Sequence, residues 1–260
     1  MTSPRAAQAA DILAAARREG HLLDRLPDGS RPTSLAEGYE IQSAFVQLWP
    51  DTLAGWKIGA TSHVTMERFG VSEPIYGPFF ASDIHASPAT PAAGRLQQMA
   101  IESEFAYRLG KDLPARATPY TREEILDAID ALIPCFEIVG PRFVKVPFDD
   151  VASAVADCVM NAAMILGEPI TDWRNIDAAR HPVKLSIDGM VTGEGNGSDC
   201  LGDPRNVLDW IVEKLRARDI DLKKGEILST GTCTGIVPFR PGQKAVGDFG
   251  PLGRVEVNYV

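Results

Sequence analysis

One short segment constrains this chain more than any other. Ala100-Ile101-Glu102-Ser103-Glu104-Phe105-Ala106-Tyr107-Arg108-Leu109 has the texture of a strand but carries two carboxylates on one side. Side chains alternate along a strand, so Ile101, Ser103, Phe105, Tyr107 and Leu109 share one face while Glu102 and Glu104 share the other. Two strand steps put their Cα atoms roughly 6.6 Å apart. Like charges so placed repel and raise each other's pKa unless a cation sits between them. A second segment, Cys135-Phe136-Glu137-Ile138-Val139-Gly140, sets Glu137 among apolar neighbours, where a lone carboxylate is costly unless paired or metal-bound. Two outcomes are open. The ExE pair forms a solvated face near Arg108 or a lysine, or three glutamates gather round a hard divalent cation such as Mg2+, which takes oxygen ligands. The apolar flanks of Glu137 favour the second.

The surrounding chain divides into a helical N-terminal region, 1–54, and a β-rich body, 55–260. In the first, Ala6, Ala9, Leu13 and Ala16 recur at helical spacing, Arg17 and Arg18 suit a helix C-terminus and Gly20 a stop. A second helix is predicted from Ser34, with Glu37 completing a capping box, Ile41, Phe45 and Leu48 on one face, and a stop near Pro50. The body alternates short β-rich runs with Gly and Pro. A third helix is predicted from Thr121, capped by Glu124, with Ile125, Ile129, Leu132 and Ile133 as its stripe and Pro134 as its end. Asp188-Gly189 marks a hairpin turn. Asp203 and Pro204 open a fourth helix that buries Val207, Leu208, Ile211 and Leu215. Val255, Val257 and Tyr259 alternate as a closing strand. The fold class is α+β, a small helical part on a β-rich body.

Composition narrows the function. A net charge of −9 over 260 residues argues against a nucleic-acid partner, which would want a basic surface. The cysteines (Cys135, Cys158, Cys200, Cys233) lack zinc-site spacing and read as reduced thiols. There is no HExxH, no signal-peptide pattern and no apolar run of membrane-spanning length, so a cytoplasmic enzyme without a membrane partner is expected.

Five motifs, GWKIGATS, PIYGPFFASDIH, IESEFAYRLGKDLP, GSDCLGDPRNVLDW and STGTCTGIVPFRPGQ, follow in the order seen in 2-keto-4-pentenoate hydratases. With Glu102-Ser103-Glu104 and Glu137, the chain resembles the fumarylacetoacetate hydrolase superfamily over most of its length, most strongly from Gly55 to Gly242. The resemblance implies a mixed β-roll body and Mg2+ or Mn2+ held by Glu102, Glu104 and Glu137. It implies that Lys57 is the active-site lysine, although position alone would read it as an exposed strand residue. It places the Thr230-Gly231 turn at the substrate end; by itself this loop fits either a Gly-rich β-turn or backbone amides facing a carboxylate. Asp83 is the candidate for positioning water.

The implied activity is hydration of a metal-chelated 2-hydroxy-2,4-dienoate to a 4-hydroxy-2-oxo acid, in aromatic meta-cleavage catabolism. The alternatives are a 2-oxo-3-enedioate decarboxylase, an acylpyruvate C–C hydrolase, and a non-catalytic homologue that binds metal or a 2-oxo acid. The hydrolase would need a His–Glu pair on an N-terminal lid, and His21 is the only histidine before Lys57. A homo-oligomer is implied, as is association with a pathway decarboxylase or aldolase. The chain departs from the pattern twice: Asp157-Cys158 stands where hydratases often have Asp-Asn, and Ser82 where an aspartate is common, with Asp83 one place on.

Overall fold

The computed structural model describes residues 2–91, 99–145 and 150–258. Helix α1 (Pro4–Glu19) starts at Ser3, whose hydroxyl accepts from the Ala6 amide, and stops at left-handed Gly20. Its buried alanines let α2 (Leu35–Leu48) pack closely, with Ile41 and Phe45 turned inward. Ser34 caps α2 by accepting from the Glu37 amide, but the Glu37 carboxylate accepts from the amide and hydroxyl of Thr33 rather than closing the expected box on Ser34. Leu48 is on the exposed side of α2 instead of its buried face. The helical pair shares an apolar cluster with Phe80, Phe143, Ala156 and Cys158, which seats it on the body.

The body then runs β1 (Leu53–Gly59), α3 (His63–Phe69), β2 (Ile75–Phe80), β3 (Ile84–Ala86), β4 (Met99–Leu109), α4 (Arg122–Ala128) and β5 (Ile129–Val139). After these come α5 (Val151–Ala156), β6 (Asn161–Leu166), β7 (Pro182–Ile187), β8 (Met190–Asn196) and α6 (Pro204–Arg216). The chain closes with β9 (Ile227–Thr232), β10 (Val237–Phe239), β11 (Lys244–Asp248) and β12 (Arg254–Asn258). A mixed sheet orders its strands β2-β1-β9-β4-β5-β6-β3, with β10 also paired to β4. Its β1–β9 and β3–β6 pairs are parallel. An antiparallel sheet, β12-β11-β7-β8, lies against the Phe105 and Phe136 side of β4 and β5, where the Phe105 and Phe249 rings meet edge to face at 5.4 Å. Alternation therefore turns Glu102, Glu104 and Glu137 to the opposite side. The fold class is α+β, as expected from the sequence.

The third predicted helix is shorter than expected. It ends at Ala128, and Ile129, Leu132, Ile133 and Pro134 belong to β5, paired residue by residue with β4. β-branched residues suit that pleated, two-sided burial better than a helix. Pro134 is tolerated because its own edge faces the end of β6, where its carbonyl accepts from Gly167 at 2.8 Å and no strand partner needs the missing N–H. Asp188 and Gly189 make the predicted turn with φ of 52° and 82°, and α6 opens at Asp203 and Pro204 and buries its predicted face. Tyr259 lies outside the described residues. No helix among the described residues is long and apolar enough to cross a membrane.

Between α5 and β6 the backbone does something costly. Cys158, Val159 and Met160 are consecutive left-handed residues, with φ of 52°, 50° and 62°. Each such non-glycine residue costs on the order of 1–3 kcal/mol. A buried clamp holds them. Arg142 bonds the Asp157 carboxylate through its amide (2.9 Å) and Nε (2.5 Å), the Asp157 carbonyl through Nη2 (2.7 Å) and the Asn161 carbonyl through Nη1 (2.6 Å). The turn also presses on β2, where a Cβ on Gly77 would lie 2.3 Å from the Cys158 carbonyl oxygen. Replacing Asp157 by Ala leaves Arg142 buried and unpaired. The expected cost is about 3–5 kcal/mol, a fall of about 10 °C in the melting temperature of a domain this size. A melt within a degree or two of the parent would show that the clamp does not hold the turn.

Candidate active site

β4 is a central strand, flanked by β5 on one edge and by β9 and β10 on the other, so its backbone edges are paired. Glu102 lies directly opposite Glu137 in the β4–β5 register and Glu104 opposite Cys135, and residues paired in this way share a face. All three glutamates are buried, and one carboxylate oxygen from each lies within 4.8 Å of the others. The ExE pair is thus not a solvated face.

Neighbouring groups orient each carboxylate. Lys57 of β1, itself buried, brings Nζ to 3.0 Å from Glu137 Oε1. Asn161, at the start of β6, donates to the same oxygen at 3.0 Å, while Glu137 Oε2 has no hydrogen-bond partner. Glu104 Oε2 accepts from the Gly231 amide at 3.1 Å. A register shift between β4 and β9 creates that contact: Glu104 pairs with Thr232 and Ala106 with Ser229, so β9 bulges at Thr230 and Gly231. Gly231 has φ of 93°, and a Cβ there would sit 2.2 Å from Thr61 Oγ1, so only glycine fits.

The cluster is electrostatically frustrated on its own. Three ionised carboxylates and one ammonium would leave two net negative charges in a buried space. Burial first and Glu137 second push the Glu102 carboxyl up to about 8, with Lys57 opposing. Burial, then Glu137 and Glu102, hold Glu104 well above the ordinary carboxylate range. The donor set fits a hard divalent cation. Oxygens on opposite sides of Mg2+ are about 4.2 Å apart, so carboxylates already within 4.8 Å need only small adjustments.

A stability prediction follows from these shifts. Glu102 and Glu104 keep protons in the fold that the unfolded chain releases above its ordinary value of 4.5. Their contribution is therefore greatest below pH 4.5 and is lost as pH rises towards about 8. The loss in metal-stripped protein is on the order of a few kcal/mol. Because a cation replaces those protons, the rise in melting temperature caused by Mg2+ should be larger at pH 8 than at pH 5. An equal rise at both would contradict the assignment.

Lys57 and Glu102 of the cluster line a cavity of about 290 Å³. Lys57, Glu102, Thr61 and Gly231 line its polar end, and Phe69, Ile75, Val159, Met160 and Ile236 its apolar wall. Of the residues singled out in the sequence, Lys57, Glu102 and Gly231 line this cavity, and Glu104 and Glu137 lie directly behind them in the cluster. Thr230 does not line this cavity: its buried hydroxyl donates to the Phe105 carbonyl at 2.7 Å, because alternation turns it away from the side Gly231 faces. Asp83 is also elsewhere. It lies in a separate cavity of about 310 Å³ with Arg17, Ser82, His85 and Arg142. It accepts from Arg17 at 2.5 Å and from the Phe80 amide at 3.1 Å. Arg17 is sunk among Phe45, Trp49 and Phe80 and needs a counter-charge, which Asp83 provides. Sequence reasoning missed Asn161, and it missed Asp199, a residue of the cavity rim that stands inside the GSDCLGDPRNVLDW motif without having been singled out.

Comparison with known proteins bears on the family and the fold. The model of the fumarylacetoacetate (FAA) hydrolase C-terminal family matches residues 72–257. The 2-keto-4-pentenoate hydratase of Paraburkholderia xenovorans (strain LB400) is 29% identical over 264 residues, covering 100% of this chain and 96% of its own. The 2-hydroxyhexa-2,4-dienoate hydratase of Comamonas testosteroni is 30% identical over 238 residues, covering 88% of each. Among solved structures, the 4-oxalocrotonate decarboxylase from Pseudomonas putida G7, complexed with magnesium and adipate, has a TM-score of 0.91 at 23% identity and covers 100% of this chain and 99% of its own. At that identity the likeness is one of fold. With most of its length matched by the family and its glutamates gathered on one face of the central strands, the chain belongs to the fumarylacetoacetate hydrolase family.

Proposed function

We propose that the protein is a metal-dependent hydro-lyase that adds water to a 2-hydroxy-2,4-dienoate and releases a 4-hydroxy-2-oxo acid. The observation that carries this reading is the convergence of three buried glutamates and Lys57, with Lys57 and Glu102 opening onto one small, largely apolar cavity. Glu102, Glu104 and Glu137 would hold Mg2+ or Mn2+, with Asn161 and the Gly231 amide fixing the carboxylates. A bound divalent cation supplies Lewis acidity to the substrate's carboxylate and 2-oxygen.

The remaining chemistry falls to the chain. Ketonisation moves the proton of the 2-hydroxyl to C5 and brings the remaining double bond into conjugation with the C2 carbonyl. Water then adds its hydroxyl at C4 and its proton at C3. Lys57 stabilises the negative charge that develops on the 2-oxygen during both steps, from a buried position where a fixed cation acts strongly. The apolar wall holds the diene and keeps other water away from it. Asp83, tied to Arg17, takes no part; the carboxylates on the cavity wall are Glu102 and Asp199.

Metal-loaded protein given 2-hydroxypenta-2,4-dienoate should bleach its conjugated absorbance and yield 4-hydroxy-2-oxopentanoate. CO₂ release from a 2-oxo-3-enedioate without any hydration product would replace this reading with the decarboxylase. Metal binding without turnover of any 2-oxo acid would leave a non-catalytic binding protein.

A further inference from the structure

The side chains of the cavity that would serve an anion gather, among the described residues, at the glutamate cluster. Among the described residues, Lys57 is the only cationic side chain on its wall, and it sits at the glutamate end, 3.0 Å from Glu137. The hydroxyls on the wall are already engaged. The Ser62 and Thr65 hydroxyls bond each other at 2.9 Å, and each accepts from the other residue's backbone amide at the first turn of α3. Thr232 donates to the Gly235 carbonyl at 3.0 Å and accepts from the Thr234 amide. Thr61 is buried beside the Cys200 thiol. The rest of the wall is apolar, and the remaining charged group, exposed on the rim, is Asp199.

Resting on the hydratase reading of this same site, we propose that the cavity accepts a monocarboxylate with a short uncharged tail and rejects a dicarboxylate, with Asp199 as a specificity-determining residue. A second carboxylate at the tail would lose hydration against the apolar wall, find no cationic side chain and no unengaged hydroxyl among the described lining residues, and meet a like charge at the rim. The cavity volume, about 290 Å³, lies at the lower edge of small-molecule sites, about 300–1,000 Å³, which suits a tail of few carbons. The head group, by contrast, has its one anionic position served by the glutamate-bound cation and Lys57. The 4-oxalocrotonate-type decarboxylase substrate is a dicarboxylate, so the same feature separates the two activities that share this head-group chemistry.

Binding tests the proposal without requiring turnover. Mg2+-loaded protein is titrated calorimetrically with two saturated analogues, 2-oxopentanoate and 2-oxohexanedioate. The monoacid should bind at least about tenfold tighter. Asp199→Asn should narrow that ratio about threefold and Asp199→Lys about tenfold, with the effect shrinking at high salt because the rim is screened. The kcat/KM ratio for the corresponding dienoate and dienedioate should move the same way. Equal binding of both acids by the unmodified protein, a ratio that Asp199→Lys leaves unchanged, or no binding of either acid would overturn the proposal. If the binding preference and its response to Asp199→Lys hold while neither dienoate is hydrated, the hydratase reading fails and the specificity assignment stands.

Discussion

Glu104→Ala is expected to lower hydration of the dienoate by about a thousandfold or more, since it removes a ligand to the group that polarises the 2-oxygen. Glu104, like Glu137, is fully buried, and its Oε2 is held by the Gly231 amide. Its loss leaves Glu102 and Glu137 as a pair that is too sparse for a hard cation preferring oxygen ligands on several sides. Metal affinity should therefore fall together with turnover. The fold should survive, because a carboxyl pushed well above its ordinary range by burial and by its like-charged neighbours is itself a burden on the metal-free protein. Melting the metal-free variant checks this: it should be at least as stable as the metal-free parent at pH 8. A variant with normal Mg2+ affinity but no activity would reassign Glu104 to a role other than ligand.

Lys57→Met should behave differently. Turnover should fall by about a hundredfold to a thousandfold, the scale expected when a preorganised donor to developing negative charge is removed. Metal binding should persist or tighten, because Glu137 Oε1 loses the ammonium that competes for it at 3.0 Å. Methionine keeps the length and apolar body of the side chain, so the cavity floor stays filled. The contrast between the two variants separates holding the cation from stabilising the substrate. If Lys57→Met instead lost its metal while keeping turnover at saturating Mg2+, Lys57 would be an organiser of Glu137 and not a catalytic group.

The parts of this site that sequence reasoning found are those governed by local periodicity. Glu102 and Glu104 were legible because a strand's period of two puts them on one side, and Glu137 because apolar residues flank it. Gly231 was legible as part of a glycine-rich turn, although its purpose, to let the backbone pass Thr61 and reach Glu104, depends on a bulge against β4. Asp83 and Thr230 lie off the cavity that Lys57 and Glu102 line, for tertiary reasons. Nothing near Asp83 in the chain shows that Arg17 lies buried beside it, and strand alternation turns Thr230 away from the cavity that Gly231 lines. Asn161 was invisible because it reaches Glu137 only through a left-handed turn that Arg142 holds from outside the segment. The α4–β5 boundary failed because Ile125, Ile129, Leu132 and Ile133 satisfy a helical stripe as well as a buried strand, and only pairing with β4 decides between them.

One titration addresses the central claim directly. Protein stripped of metal is supplied with Mg2+ in steps, while loss of the 2-hydroxypenta-2,4-dienoate absorbance is followed beside a parallel series on Glu104→Ala. Turnover should be absent without metal and should saturate as a single site per chain fills, with 4-hydroxy-2-oxopentanoate as the product and no recovery in the variant. Full activity in stripped protein, or equal recovery by Glu104→Ala, would contradict that claim.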